Sequence, residues 1–285
     1  MLPSITIKIT LGERTIVIRK NGQLRLNGIS GAESPQYDVQ AEEYSAQPGG
    51  YLTAEHVQTR LIDITFTVDE RRKSEELRQE LISFFSIDRV GELEITRTGV
   101  TRKIPCRCGS APVFSQANMR QDRMKVSITL LCLSPYFQAT EPVNITFGES
   151  IPLMMFPLTL FPKAGMTVGM PGITDTATLN NDGHVGSGLT MTVKAVGGTV
   201  VNPSFSLDRE YVRVLTTLNE GDVLEIDTRT GKKSVKVNGE NRLIFDHGSV
   251  FFSCPPGRHT LRFDAESGKE NARSSAEIIY QYNGV

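Results

Sequence analysis

Gly221-Asp222-Val223-Leu224-Glu225-Ile226-Asp227-Thr228 lies in the middle of the stretch that decides the fold, Leu179 to Phe263. Throughout it, short apolar and β-branched segments are cut by turn residues: Asn181-Asp182-Gly183, Asn202-Pro203, Glu220-Gly221-Asp222, Asn238-Gly239 and Pro255-Pro256-Gly257. Asn and Gly accept the positive φ of tight turns and Pro presets its own φ, so the intervening segments read as strands of an antiparallel β-sandwich. Asp222, Glu225 and Asp227 alternate with Val223, Leu224 and Ile226. That period describes the polar outer face of a strand, not a calcium-coordinating loop.

Working outward, the N-terminal half is also β-rich. Ile5, Ile7 and Ile9, then Ile16 and Ile18, alternate with polar residues across a turn at Leu11-Gly12-Glu13-Arg14, while Asn21-Gly22 and Asn27-Gly28 supply further turn chemistry, giving a small meander. Ile62, Ile64, Phe66 and Val68 form the buried face of a strand over Leu61 to Val68. Leu93 to Arg97 and Val100 to Cys106 flank Thr98-Gly99 as a hairpin, and Met124 to Leu133 is a long strand that stops at Ser134-Pro135-Tyr136-Phe137. One segment has a helical period: Leu77, Leu81, Phe84 and Phe85 recur at three- and four-residue intervals, opposite a charged face and after a candidate N-cap at Ser74.

Between these elements, Ser30 to His56 lacks clear periodicity and contains Pro48-Gly49-Gly50. Long irregular stretches in compact domains are commonly functional, so it reads as an assembly loop, with Glu33, Asp38, Glu42, Glu43, Tyr44 and Tyr51 as candidate contacts. Its acids are candidates to face a lumen traversed by DNA, where like charge would keep the polyanion from adhering. A second irregular zone, residues 151–173, holds Pro152, Pro157, Pro162 and Pro171 among Met154, Met155, Phe156, Leu160 and Phe161. It reads as an interdomain connector, an edge strand or an exposed contact patch.

The chain has 285 residues, enough for two cores, and its net charge of −1 provides no global attraction to nucleic acid or an anionic membrane. No apolar run reaches the roughly 18 residues a spanning helix needs, and no export signal precedes the first strand, so synthesis in the cytoplasm is expected. Cys106-x-Cys108 lacks zinc-knuckle spacing, and Cys132 and Cys254 stand alone, so buried reduced thiols are expected in place of a metal site. A disulfide between the Cys106/Cys108 pair and Cys132 on a neighbouring strand is open.

Catalysis should leave a constellation, and none is found. His56, His184, His247 and His259 are isolated from one another, and neither a Gly-x-Ser-x-Gly elbow nor a phosphate loop occurs. Gly183, Gly186 and Gly188 precede a strand-like run, whereas a dinucleotide fingerprint must open a helix, so they read as a flexible hairpin tip. The chain therefore reads as neither an enzyme nor a cofactor binder.

The turn series from Asn181-Asp182-Gly183 to Pro256-Gly257 resembles the C-terminal domain of the distal tail protein of long-tailed bacteriophages. A single helix in a β-rich domain, closed by a strand ending in Ser134-Pro135-Tyr136-Phe137, is similar to the N-terminal domain of the same family. The resemblance implies a mainly β protein with one helix: an N-terminal β-rich ring-forming domain over residues 1–138 and a C-terminal galectin-like β-sandwich over 139–285. It further implies a structural part of a phage or prophage tail, a hexameric ring of identical chains that joins the tail tube protein to tail-tip or baseplate proteins. Neither sequence-specific nucleic acid nor membrane is an expected partner. The alternative is a carbohydrate-binding module docking on the host wall. Against it, Trp is absent and most C-terminal phenylalanines fall in apolar strand patterns.

Overall fold

A computed structural model describes residues 5–68, 74–116, 124–147, 151–152, 169–170 and 175–285. The chain forms two units, Met1–Thr140 with Gln281–Val285, and Glu141–Tyr280. It is mainly β, with one α-helix among the described residues.

Unit 1 is built from β1 (Ile5–Leu11), β2 (Arg14–Arg19), β3 (Leu24–Ser30), β4 (Tyr37–Glu43), β5 (Gly50–Val57), β6 (Arg60–Val68), α1 (Ser74–Phe84), β7 (Val90–Arg97), β8 (Val100–Cys108), β9 (Val113–Gln116), β10 (Met124–Cys132) and β11 (Phe137–Ala139). Seven of these close into a barrel in the order β8-β7-β1-β2-β3-β6-β10, and the last strand returns to the first through Leu130↔Cys108 and Leu131↔Arg107. Near eight strands a barrel interior is just wide enough to be filled by side chains. The alternation read from sequence supplies them: Ile7, Ile9, Leu11, Ile18, Ile62, Ile64, Phe66, Leu93, Ile104, Val126 and Leu130 are all fully buried.

The connections follow local chemistry. Gly12 takes φ 60 between β1 and β2, and Thr98-Gly99, at φ 54 and 85, makes the two-residue turn between β7 and β8. Asn27-Gly28 is not a turn. It is a bulge in β3, where the register against β6 shifts between Leu26 and Gly28 and the Asn27 amide donates to Thr67 Oγ1 at 2.6 Å. The expected meander also ends early, because β2 and β3 meet in parallel at one pair, Arg19↔Arg25. β10 stops at Cys132, one residue before the expected end, and Leu133 is 66% exposed. α1 buries Leu81 and Phe84 against the barrel and Phe85, just beyond its end, joins them, each contributing about 1.5–3 kcal/mol. Glu75 and Glu76 in its first turn complement the helix dipole.

The sequence alone places the final residues with the second domain, but Gln281–Val285 lie in unit 1. The strand Gln281–Tyr282 pairs with β11 through Phe137↔Tyr282 and Gln138↔Gln281. The buried Arg60 guanidinium donates to the carbonyls of Ala32, at 3.4 Å, and Asn283. Arg102 stacks 3.8 Å from the Tyr282 ring centroid and donates to the Gly284 carbonyl. A Cβ on Gly284 would collide with the Glu33 carbonyl, so only glycine fits there.

Unit 2 holds β12 (Val143–Phe147) at the edge of one antiparallel sheet, followed in order by Ala272–Ile278, Ser187–Ala195, Val223–Asp227, Ser234–Val237 and Glu240–Asn241, with Ser253–Cys254 against the start of Ser187–Ala195. A second sheet orders Thr176–Asn181, Gly257–Asp264, Ser204–Leu207 and Glu210–Arg213. Met191, Val193, Leu224 and Ile226 from the first share a core with Leu179, Phe205, Val212 and Leu261 from the second, the arrangement of a sandwich.

Most quoted turn residues act as expected here. Asn202 and Asn238 adopt positive φ, and Asn181, 2% exposed, donates to the carbonyls of Cys254 and Val185. The Gly183 to Gly188 segment is not a flexible tip: the Asn181 carboxamide accepts from the Gly183 amide, and a Cβ on Gly188 would meet Arg229 Cα at 2.5 Å. The connector zone 151–173, with Met154, Met155, Phe156, Pro157, Leu160, Phe161, Pro162 and Pro171, lies outside the described residues apart from the pairing of Ile151–Pro152 with Gly169–Met170.

Candidate assembly surface

The stretch read as an irregular loop is a β-hairpin. β4 and β5 pair from Tyr37↔Val57 to Glu43↔Gly50, with a register shift between Gln40 and Ala41. Its tip is closed by the Tyr44 amide donating to the Gly49 carbonyl at 3.0 Å, with Gly49 at φ 104. A Cβ on Gly50 would lie 2.5 Å from the Glu42 carbonyl, so Pro48-Gly49-Gly50 shapes a tight tip and does not break the chain. In unit 1 this ribbon packs into neither the barrel sheet nor its core, since β5 is exposed at every residue but Val57.

Five of the six candidate contacts lie on this hairpin. Asp38 and Glu42 share one face with Gln40 and with their cross-strand partners His56 and Tyr51. On that face the Tyr51 hydroxyl donates to Glu42 Oε2 at 2.7 Å, and His56 Nε2 lies 3.7 Å from Asp38 Oδ2. Losing its proton would set a phenolate beside Glu42, so the Tyr51 pKa is raised, with slight burial adding to the effect. Glu43 belongs to the opposite face, and Tyr44 lies at the tip with its ring 5.6 Å from that of Tyr51. Glu33 is elsewhere, at the root: it lines a 410 Å³ cavity with Ile29, Ala32, Arg97 and Val285.

Sequence reasoning missed the face opposite the acids. Tyr37 and Val39 are 58% exposed and Leu52 is 54% exposed, with Ala41 and Val57 completing an apolar stripe beside Glu43 and Glu55. The signal was present, because Tyr37, Val39 and Ala41 alternate with Asp38, Gln40 and Glu42. Also missed was an open groove of 610 Å³ between α1 and β2. Arg14 crosses it, with its guanidinium 5.6 Å from the Phe84 ring centroid and 3.4 Å from Glu80 Oε1.

The cysteines play no part in either surface. All four are free and buried. Burial pushes Cys132 and Cys254 up to about 12 and Cys106 higher still, so these thiols are inert. Among the described residues no group of three or more His, Cys, Asp or Glu is arranged to hold a metal ion. Asp222 accepts from the Asn219 amide and the Asn238 carboxamide, both at 2.8 Å, and Asp227 binds Arg229 at 2.6 Å. Both acids are thus committed to turn and ion-pair structure.

Unit 2 contributes a smaller exposed cluster. Leu243 is 89% and Phe245 37% exposed, and the Phe245 and Phe251 rings meet edge to face at 5.7 Å. Nearby, the Tyr211 hydroxyl donates to Asp246 at 3.0 Å and Arg213 lies over the Tyr211 ring.

Residues 182–282 match the family model described as siphovirus-type tail component, C-terminal domain. The chain is similar to the solved structure of the SPP1 Dit (gp 19.1) protein, titled a paradigm of the hub adsorption apparatus in phages infecting Gram-positive bacteria. The TM-score is 0.67 at 12% identity, over 96% of this chain and 98% of that one. It is also similar to the phage P2 baseplate in its activated conformation with Ca and with Sr, each at TM-score 0.51 and 10% identity over 100% of both chains. No curated relative matches.

Proposed function

We propose that this is a Dit-like distal tail protein with a structural role in a siphovirus-type phage tail, and that it closes into a hexameric ring between the tail tube and the baseplate or tail-tip proteins. Unit 1 would form the ring. The observation that carries this reading is the hairpin: a ribbon with an apolar stripe exposed at Tyr37, Val39 and Leu52 has no reason to stand in water unless another chain covers it. In a ring, the face bearing Asp38 and Glu42 would be available to a lumen, where carboxylates repel passing DNA. The activity is binding and positioning, and the protein would be made in the host cytoplasm and incorporated into the virion.

The test is native mass spectrometry of the full chain, alone and with the adjoining tail proteins. A sixfold species is expected, and a monomer under both conditions would refute the ring. A second reading, carbohydrate docking by unit 2, is favoured by the exposed Phe245 and Phe251 pair beside Arg213 and Asp246. Binding of purified wall fragments, abolished by Phe245→Ala, would support it.

A further inference from the structure

Unit 1 carries two surfaces of opposite shape and charge. The projecting one is the hairpin, which holds Asp38, Glu42, Glu43 and Glu55 and no Lys or Arg between residues 37 and 57. Tyr44 and Tyr51 form its aromatic end. The receiving one is the 610 Å³ groove, with Ile16, Leu77 and Phe84 in its floor, Val17 exposed on its wall and Arg14 and Arg19 beside it. Arg19 has no ion-pair partner among the described residues. The Arg14 partner, Glu80, is 61% exposed, so that pair is open to exchange with another carboxylate.

We infer that this groove receives the tyrosine tip of the hairpin from a second copy of the chain. The inference rests on the ring reading and names the contact that would build it. Tyrosine suits such an insertion because its ring buries apolar area while its hydroxyl keeps a polar partner, which is why it is enriched among interface anchors. Glu43 and Glu55 flank the apolar stripe of the hairpin and would meet Arg14 and Arg19 at the rim, where charge sets orientation and association rate. The projecting and receiving patches are different surfaces, so the contact is heterologous, and repeating it head to tail generates a ring once the rotation closes.

Crosslinking of full-length chains tests it. A tagged Tyr44→Cys variant is mixed with an untagged Val17→Cys variant, with the adjoining tail proteins present, and treated with a short bismaleimide. The four native cysteines are buried and leave the background low. The expected product is a mixed dimer joined between positions 44 and 17, absent when Leu243→Cys replaces Tyr44→Cys. In parallel, Glu43→Lys and Arg19→Glu should each lower ring yield about threefold, and the two reversals in one chain should restore it. A ring that forms without the 44–17 link, or whose yield ignores both charge reversals, overturns this contact and leaves the ring reading standing. No oligomer under any condition overturns both.

Discussion

Unit 1 depends on a segment made at the far end of the chain, and cutting the protein at its apparent domain boundary should expose that dependence. A fragment of residues 1–140 lacks Gln281–Val285, so Arg60, 3% exposed, loses its Asn283 acceptor, and Arg102 loses both the Gly284 carbonyl and the Tyr282 ring. A hydrogen bond to a charged group contributes about 1.5–3 kcal/mol and a cation–π contact about 0.5–2 kcal/mol. Two such bonds and one stack put the loss at about 3–6 kcal/mol, discounted because Arg102 is partly solvated. That is a large share of the roughly 5–15 kcal/mol that stabilises a typical domain. The comparison is a second fragment in which an Asn-Gly linker joins Thr140 to Gln281, making a short hairpin loop beyond the Gln138↔Gln281 pair. Urea denaturation of both should show the joined fragment more stable by that amount. Equal midpoints and slopes would refute the reasoning and show that the closing segment is passive.

Acid should weaken unit 2. Asp175, Asp208 and Asp222 are held below the ordinary carboxylate range, chiefly by hydrogen bonds from Lys269, His259 and Asn238; at Asp227 burial pulls upward but the Arg229 bonds outweigh it. Depressed folded-state values give stability that is fully present above about pH 4 and lost as pH falls through the folded values, so the melting temperature should hold between about pH 7 and 5 and drop below 4. A melting temperature unchanged to about pH 3 would contradict this. If the proposed ring forms, backbone amides of Tyr37–Glu43 and Gly50–Val57 should exchange quickly in the free subunit and slowly in the oligomer, and equal protection in both states would remove the hairpin from the proposed interface. A strong chelator should leave the melting temperature unchanged, while stoichiometric zinc by elemental analysis would sink the reading of inert thiols.

Burial on one face made parts of this fold legible. Ile62, Ile64, Phe66 and Val68 alternate because they point into a filled barrel, and Leu77, Leu81, Phe84 and Phe85 repeat at helical intervals because one stripe of α1 packs on it. The hairpin is harder to read for the converse reason: neither of its faces is covered, so Tyr37, Val39 and Ala41 alternate with polar residues but lack the strong apolar set of a buried strand. Barrel closure rests on two pairs, Leu130↔Cys108 and Leu131↔Arg107, between strands whose local sequence gives no sign of meeting. The return of Tyr282 to Phe137 is likewise non-local. The acids of the candidate surface stand out in sequence because they are scattered through a stretch without clear periodicity, whereas Arg14 and Arg19 come together with α1 only through the fold.

The strand Gln281–Tyr282, lying against β11, also sets the order of events during synthesis. Domains generally fold from the N-terminus as the chain emerges from the ribosome. Here unit 2 can complete its core as soon as Ile278 is free, while unit 1, translated first, waits with Arg60 and Arg102 short of their Asn283 and Gly284 acceptors until residues 281–285 appear. A surface of unit 1 competent for assembly would thus mature only after residues 281–285 have been made, and copies cut before them would lack it.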